Sequence, residues 1–125
     1  MPSVVLIVDD SPTETFALTE ILKRHGFEVI NAQNADQGLS LARDRHPDLV
    51  LMDVVMPGLN GFQATRQLAR DPHTASIPVV MVSTKSQETD RVWALRQGAR
   101  AYLTKPIDER LLLQTIRQVL DGKPD

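Results

Sequence analysis

Five polar residues of this chain stand at positions where apolar segments end. Asp9 and Asp10 follow one such segment, Asp53 ends a second, Ser83 follows a third and Lys105 follows a fourth. Clustered carboxylates repel each other by roughly 4 kcal/mol for unit charges 4 Å apart at an effective dielectric of about 20. A hard cation such as Mg²⁺ relieves such repulsion because it prefers oxygen ligands. A carboxylate can also accept a phosphoryl group as a nucleophile.

The other two side chains suit the same chemistry. The ammonium of Lys105 is a compact charge that can meet a phosphoryl oxygen, and Ser83 can donate a hydrogen bond to another. Phosphoryl transfer needs mainly positioning and charge neutralisation. Taken alone, Asp53 could be an ordinary residue at the end of a strand. The coincidence of all five residues indicates a Mg²⁺-dependent phosphoryl site centred on Asp53.

Strands that alternate with helices must bring these residues together. Runs of apolar and β-branched residues predict buried strands, and segments with helical spacing follow each run. The predicted strands cover residues 4–8, 27–30, 49–53, 77–82 and 101–104. This alternation predicts a doubly wound α/β domain with a five-stranded parallel sheet and five flanking helices. Ligands of such sheets bind at the carboxyl ends of the strands, which is where the five polar residues stand.

The helix signals lead to further expectations about caps and buried faces. Ser11 and Glu14 predict a capping box, Asn34 and Asp108 predict N-caps, and His46 before Pro47 is expected to be extended. We expect Trp93 to be a packing residue. We expect the three histidines to lie on the surface, because no two of them have the spacing of metal ligands. The residues expected on inward faces are Phe16, Leu18, Ile21, Leu22, Ala35, Leu39, Ala42, Phe62, Leu68, Ala69, Val92, Leu95, Leu112, Ile116 and Val119.

Composition limits the classes of protein that remain. The 125 residues, 42% of them apolar, suit one domain over residues 1–121 with a short tail at 122–125. The absence of cysteine excludes disulfides and thiolate metal sites. The net charge of -2 leaves no footprint for nucleic acid, and no apolar run is long enough to span a membrane. We therefore expect a cytoplasmic protein that acts without nucleic acid or membrane.

Five motifs also occur in a fixed order along the chain: Asp9-Asp10, Asp53 with Met56-Pro57-Gly58, Ser83, Gly98-Ala99, and Tyr102-Leu103-x-Lys105-Pro106. Together they resemble the receiver domains of two-component response regulators, from Val4 to about Leu120. The resemblance implies a flavodoxin-like fold with strand order 2-1-3-4-5.

The same resemblance assigns a metal site. It implies that Asp53 is the phosphoacceptor. Asp10 and Asp53 would bind Mg²⁺ through their side chains, Val55 through its backbone carbonyl, and Asp9 through a metal-bound water. No separate organic cofactor is implied.

The resemblance also assigns a switch. Ser83 is expected to follow the phosphoryl group, Lys105 to contact one of its oxygens, and Tyr102 to turn inward as the switch aromatic. On spacing alone, Tyr102 could equally be a half-buried strand residue. The bond between Lys105 and Pro106 is expected to be cis.

The implied function is a stand-alone phosphoacceptor signalling protein that catalyses only its own phosphorylation and dephosphorylation. Its donor would be a histidine kinase or histidine phosphotransfer domain. Its downstream target would bind the face formed by the last two helices and the fifth strand. Residues 92–106 are similar to those of twitching-motility and pilus regulators, within the chemotaxis-like group.

Three alternatives stay open at this point. The chain could be a phosphate sink for a shared kinase. It could be an aspartate-nucleophile phosphatase, although Val55 stands where such enzymes place a second acid. It could also be a flavodoxin-like ligand binder.

Overall fold

The computed structural model describes residues 2–122. Its strands are β1 (Val4–Val8), β2 (Glu28–Ala32), β3 (Leu49–Asp53), β4 (Val79–Ser83) and β5 (Ala101–Thr104). Its helices are α1 (Pro12–Arg24), α2 (Ala35–Arg45), α3 (Gly61–Arg70), α4 (Glu88–Arg96) and α5 (Glu109–Leu120). Every strand is followed by a helix, as the sequence pattern predicts.

The five strands form one parallel sheet in the order β2-β1-β3-β4-β5. All five residues of β3 and of β4 are buried, as expected for strands that are covered on both faces. In the register of the sheet, Asp53 lies opposite Val82, and Ser83 lies opposite Thr104. The predicted doubly wound fold and its strand order are confirmed, and the polar residues share the carboxyl edge.

Two apolar clusters fill the space between the sheet and its helices. Residues of β1, β3 and β4 contribute to both, because alternate side chains point to opposite faces. One cluster lies under α2, α3 and α4 and contains Met52, Leu68 and Tyr102. The other lies under α1 and α5 and contains Leu22 and Ile116. The sheet is therefore the middle of three layers, and each outer layer consists of helices.

Two strands differ from their predicted bounds, and each ends later than predicted, β2 at Ala32 and β4 at Ser83. β2 begins at Glu28 and continues to Ala32, further along the chain than residues 27–30. Pairing with β1 decides this, because Val8 lies opposite Ala32 and gives the strand a neighbour at its end. β4 begins at Val79, after Pro78, which has no N–H group to donate. The carbonyl oxygen of Pro78 still accepts a hydrogen bond from the amide of Val50.

The helix ends follow the expected caps with two exceptions. The side chains of Ser11, Asn34 and Asp108 each accept a backbone hydrogen bond at a helix start. The Glu14 side chain has no hydrogen bond back to Ser11, so the predicted capping box is only half formed. The extended geometry expected for His46 is wrong. This residue caps α2 in a left-handed conformation, with φ of 47°, and redirects the chain before the next residue, a proline.

Several side chains expected to face inward are exposed. Phe16 is 68% exposed, and Val92 and Leu95 are 41% and 44% exposed. Ala69 is also exposed, although Leu68 beside it is buried. The 49% exposure of Trp93 does not match the packing role expected of it. In α4 the buried residue is Ala94, whose small side chain stands out less in the sequence than the larger apolar residues around it.

Other expectations hold. The histidines at 25, 46 and 73 are exposed, as predicted. Within residues 2–122, no helix has the length and apolar character needed to cross a bilayer. The division into a domain at 1–121 and a tail at 122–125 stays a prediction, because most of that tail lies outside the described residues.

Candidate functional site

Three carboxylates converge at the carboxyl edge of the sheet. Asp9 and Asp10 follow β1, and Asp53 is the last residue of β3. One carboxylate oxygen from each of the three lies within 4.8 Å of the others. Asp9 is 4% exposed, Asp53 is 8% exposed, and Asp10 faces solvent. The three carboxylates that the sequence predicts to cluster therefore do lie close together in the fold.

Lys105 bridges two of these acids. Its Nζ atom lies 3.0 Å from Oδ2 of Asp9 and 3.5 Å from Oδ1 of Asp53, and the Lys105 side chain is 9% exposed. Burial alone would lower the pKa of Lys105. The hydrogen bond to Asp9 and the charges of Asp53, Asp9 and Glu14 outweigh burial and raise that pKa. The ammonium thus stays charged and offsets part of the carboxylate repulsion.

The charge balance at Asp53 remains unfavourable. Burial, followed by the repulsion from Asp9, raises the pKa of Asp53 from 3.8 to about 6, although Lys105 opposes both. One ammonium therefore does not compensate for the buried acids. A bound cation would favour the ionised form of Asp53, because opposite charge nearby stabilises a carboxylate.

The donor set fits a magnesium ion. It contains carboxylate oxygens and neither sulfur nor imidazole, and the solvent-facing Asp10 leaves room for the waters that Mg²⁺ retains. Asp53 and Asp10 could both bind the ion directly. Val55 lies two residues past Asp53 and its side chain is 56% exposed. The assignment of its carbonyl as a third ligand stays a prediction.

The start of α1 orients Asp9. Its Oδ1 atom accepts a hydrogen bond from the amide of Ser11 at 2.9 Å, while Oδ2 contacts Lys105. Glu14, one turn into the helix, directs a carboxylate oxygen to within 3.9 Å of the Lys105 ammonium. The acid expected to complete a capping box therefore belongs to the edge of the charged site. The S-x-x-E pattern in the sequence predicts only a capping role for Glu14 and gives no sign of its contact with Lys105.

Ser83 and Tyr102 meet at the loop after β4. The fully buried Ser83 hydroxyl accepts a hydrogen bond from the amide of Lys85 at 3.1 Å. The Tyr102 hydroxyl donates to the carbonyl oxygen of Lys85 at 2.7 Å. Burial raises the pKa of Tyr102, so this hydroxyl keeps its proton. Tyr102 lies inward at 9% exposure, and both side chains hold the backbone of Lys85 by hydrogen bonds.

Lys85 itself contributes through its backbone. Its side chain is exposed, and it is the N–H and C=O groups that contact Ser83 and Tyr102. The bond between Lys105 and Pro106 is cis. It follows β5 directly, and the amide of Lys105 donates to the carbonyl of Ser83.

Gly61 is a residue of the site that sequence reasoning missed. It begins α3, and its amide donates to the carbonyl oxygen of Val54 at 2.9 Å. A Cβ atom here would collide with the Asp53 carbonyl oxygen and lie 2.9 Å from its carbonyl carbon. Glycine therefore lets α3 pack against the backbone that carries Asp53. The signal in the sequence was a loop glycine followed by a helix, which usually indicates only a turn.

The sequence is similar to those of known proteins. Residues 5–117 match the family described as response regulator receiver domain. Protein PilH of Pseudomonas aeruginosa is 63% identical over 118 residues, which are 94% of this chain and 98% of that protein. The transcriptional regulatory protein AfsQ1 of Streptomyces coelicolor is 38% identical to this chain. The match covers 96% of this chain and 52% of AfsQ1.

Solved structures agree with the fold. A response regulator receiver domain protein (CheY-like) from Methanospirillum hungatei superposes with a TM-score of 0.90 and 29% sequence identity. The match covers 98% of this chain and 96% of that protein.

Proposed function

Because this chain belongs to the response regulator receiver family, we propose that it accepts a phosphoryl group on Asp53 from a phosphohistidine-bearing partner. The observation that carries this proposal is the convergence of Asp9, Asp10 and Asp53 with Lys105 at one edge of the sheet. Asp53 is the only one of the three acids that terminates a buried central strand.

Each residue has a defined part in the transfer. A carboxylate oxygen of Asp53 forms a bond to phosphorus as the bond between phosphorus and the histidine nitrogen breaks, and that nitrogen keeps the bonding electrons. Lys105 holds positive charge beside the Asp53 oxygen, where it can meet an oxygen of the incoming phosphoryl group. Asp10 and Asp53 would hold Mg²⁺, with the Val55 carbonyl. The ion would neutralise charge on the phosphoryl oxygens.

The phosphorylated side chain carries roughly -1.5 to -2 charges. In the described structure the Ser83 hydroxyl uses an acceptor lone pair for the Lys85 amide, so its own proton can be donated to a phosphoryl oxygen. Movement of Ser83 toward that oxygen would pull on the Lys85 backbone, whose carbonyl oxygen accepts a hydrogen bond from Tyr102. The loop before α4 would then shift, and the α4–β5–α5 surface would present the signal to a downstream protein.

The twitching-motility or pilus pathway is our proposal for the biological setting. Two observations support it: the similarity of residues 92–106 to regulators of that kind, and the 63% identity with Protein PilH across nearly all of both chains. The proposal implies a cytoplasmic site of action, where phosphohistidine donors are formed.

The test uses phosphoramidate with Mg²⁺, a small donor that contains the same phosphorus–nitrogen bond and needs no assumption about the cognate kinase. Wild type should gain one acid-labile phosphoryl group per chain by intact mass, and Asp53→Asn should gain none. Asp44→Asn is the matched control, because Asp44 is an exposed acid on α2. Equal phosphorylation of Asp53→Asn and wild type would contradict the assignment.

A second measurement addresses the physiological donor. Candidate phosphorylated histidine kinases and phosphotransfer domains are mixed with the chain, and the loss of label from each donor is timed. The donor that serves this protein should lose label fastest, and only when Asp53 is intact. A donor that loses label equally fast to Asp53→Asn would be excluded.

A further inference from the structure

A basic groove lies between α3 and α4, away from the acidic site. It has a volume of about 370 Å³ and is lined by Arg66, Arg70, Arg96, Trp93 and Gly98, together with one alanine and one glutamine. No acidic side chain lines it. This concentration of cationic groups is unusual in a chain with a net charge of -2.

The three guanidinium groups lack acidic partners. Across residues 2–122, none of Arg66, Arg70 and Arg96 forms an ion pair. The acid nearest in sequence, Asp71, is occupied because its Oδ2 atom lies 2.7 Å from Arg43. The charges of Arg70 and Arg96 in last helical turns do complement the helix dipoles, but that interaction leaves their N–H donors unused.

Trp93 provides an apolar surface in the same groove. It is the only tryptophan of the chain, and it is 49% exposed. Tryptophan and arginine are the residues most enriched at the energetic centres of protein interfaces. The floor is formed where Gly98 meets α3, since a Cβ atom at Gly98 would lie 2.9 Å from that of Ala69. The groove is therefore formed where two helices pack together, and its lining residues do not all come from one helix.

We propose that this groove binds an acidic segment of a partner protein, with an apolar side chain of that segment against Trp93. Arg66 and Arg70 stand one turn apart on α3, and Arg96 comes from the facing helix. Separated single charges match carboxylates spaced along a peptide better than one compact phosphate. Both helices also end at this groove, and the partial negative charge of their C-termini disfavours an anion that concentrates two charges on one group, as phosphate does.

The location makes the groove independent of phosphoryl transfer. Helices of this fold run opposite to the strands, so the C-terminal ends of α3 and α4 lie at the edge opposite to Asp53. A partner held there leaves the acidic site accessible to a phosphodonor. It would also contact α4, which Ala94 anchors to the core and which forms part of the proposed signalling surface.

The test uses Trp93 as its own reporter. The probe is a short synthetic peptide containing several glutamates and one phenylalanine, and the comparison peptide has glutamines in place of the glutamates. Only the acidic peptide should shift the tryptophan emission of the full chain to shorter wavelength, with an affinity that falls as salt is added. The Asp53→Asn protein should bind equally well, which separates this proposal from the phosphoryl-transfer proposal.

Charge reversal locates the binding. Arg70→Glu with Arg96→Glu should weaken the acidic peptide at least about tenfold. The matched control Arg45→Glu changes an exposed arginine at the end of α2 and should weaken it less than about twofold. Circular dichroism and urea unfolding check that each variant is folded. If the double variant fails to fold, Arg66→Gln alone carries the comparison and should weaken binding more than the control does.

Four results would overturn the proposal. The emission of Trp93 could stay unchanged with the acidic peptide, or the peptide could bind Arg45→Glu as weakly as the groove variants. A single-stranded oligonucleotide could shift the emission where the peptide does not, which would indicate nucleic acid. The emission could instead shift with protein concentration alone, which would indicate a second copy of this chain.

Discussion

Replacement of Asp53 by asparagine should stabilise the protein in the absence of divalent cations. The folded-state pKa of Asp53 is about 6, compared with 3.8 for an ordinary aspartate, chiefly because the side chain is buried. Each pH unit between these values corresponds to about 1.4 kcal/mol, so ionisation of Asp53 costs the folded protein about 3 kcal/mol. Asparagine has nearly the same shape and no charge, so Asp53→Asn removes this cost while Lys105 keeps its contact with Asp9.

The sign and the pH window follow from linkage. Below about pH 3.8 the carboxyl group is protonated in both states, and the two proteins should be equally stable. As the pH rises from 3.8 to 6, the unfolded chain ionises first, so wild type loses stability relative to Asp53→Asn. Above about pH 6 the difference should level off at up to about 3 kcal/mol.

Urea unfolding in EDTA at several pH values measures this difference. Asp44→Asn, on the exposed face of α2, is the control and should stay within about 0.5 kcal/mol of wild type at every pH. Addition of Mg²⁺ should raise the stability of wild type more than that of Asp53→Asn, because the proposed metal site includes the folded Asp53 carboxylate. A wild type as stable as Asp53→Asn at pH 7.5 in EDTA would refute the electrostatic reasoning.

Three other substitutions test the framework of the site. Gly61→Ala should lower the free energy of unfolding by about 1–3 kcal/mol in urea and slow phosphoramidate labelling, because its Cβ displaces the Asp53 backbone. Tyr102→Phe should lose about 1 kcal/mol of stability in the same assay, since it removes the hydrogen bond to the Lys85 carbonyl. Lys105→Met should lose about 3 kcal/mol at pH 7 and less at pH 4, where Asp53 is protonated, as urea unfolding at both pH values would show.

The strands and the site were predictable for a common physical reason. A strand of a parallel sheet that is covered on both faces must be apolar along its length, and polar residues are tolerated only where it ends. Val4–Val8 and Leu49–Asp53 show this pattern, and both have the predicted bounds. The same rule placed Asp9, Asp10 and Asp53 together, because parallel strands end at a shared edge.

Interactions between distant segments escaped prediction. The contact between the Glu14 carboxylate and the Lys105 ammonium joins residues that are far apart in sequence. The close approach of Gly61 to Asp53 depends on how the β3–α3 loop folds back. The left-handed His46 depends on where α2 stops. The contacts of Glu14 and Gly61 have no local pattern, whereas the His46 conformation is a local helix end that overrides the extended preference of a residue before proline.

The outward faces of the helices differ for another reason, and α4 shows it most clearly. Helical spacing made Val92 and Leu95 look like core residues, yet the helix is held by Ala94, and its larger apolar side chains face solvent. Core packing therefore does not account for Val92, Trp93 and Leu95, and exposed apolar side chains of this size are typical of binding surfaces. The α4 helix, where two residues predicted to face inward are exposed, lies between the loop held by Tyr102 and the basic groove. Apolar residues on a surface that binds partners can therefore follow helical spacing without facing the core.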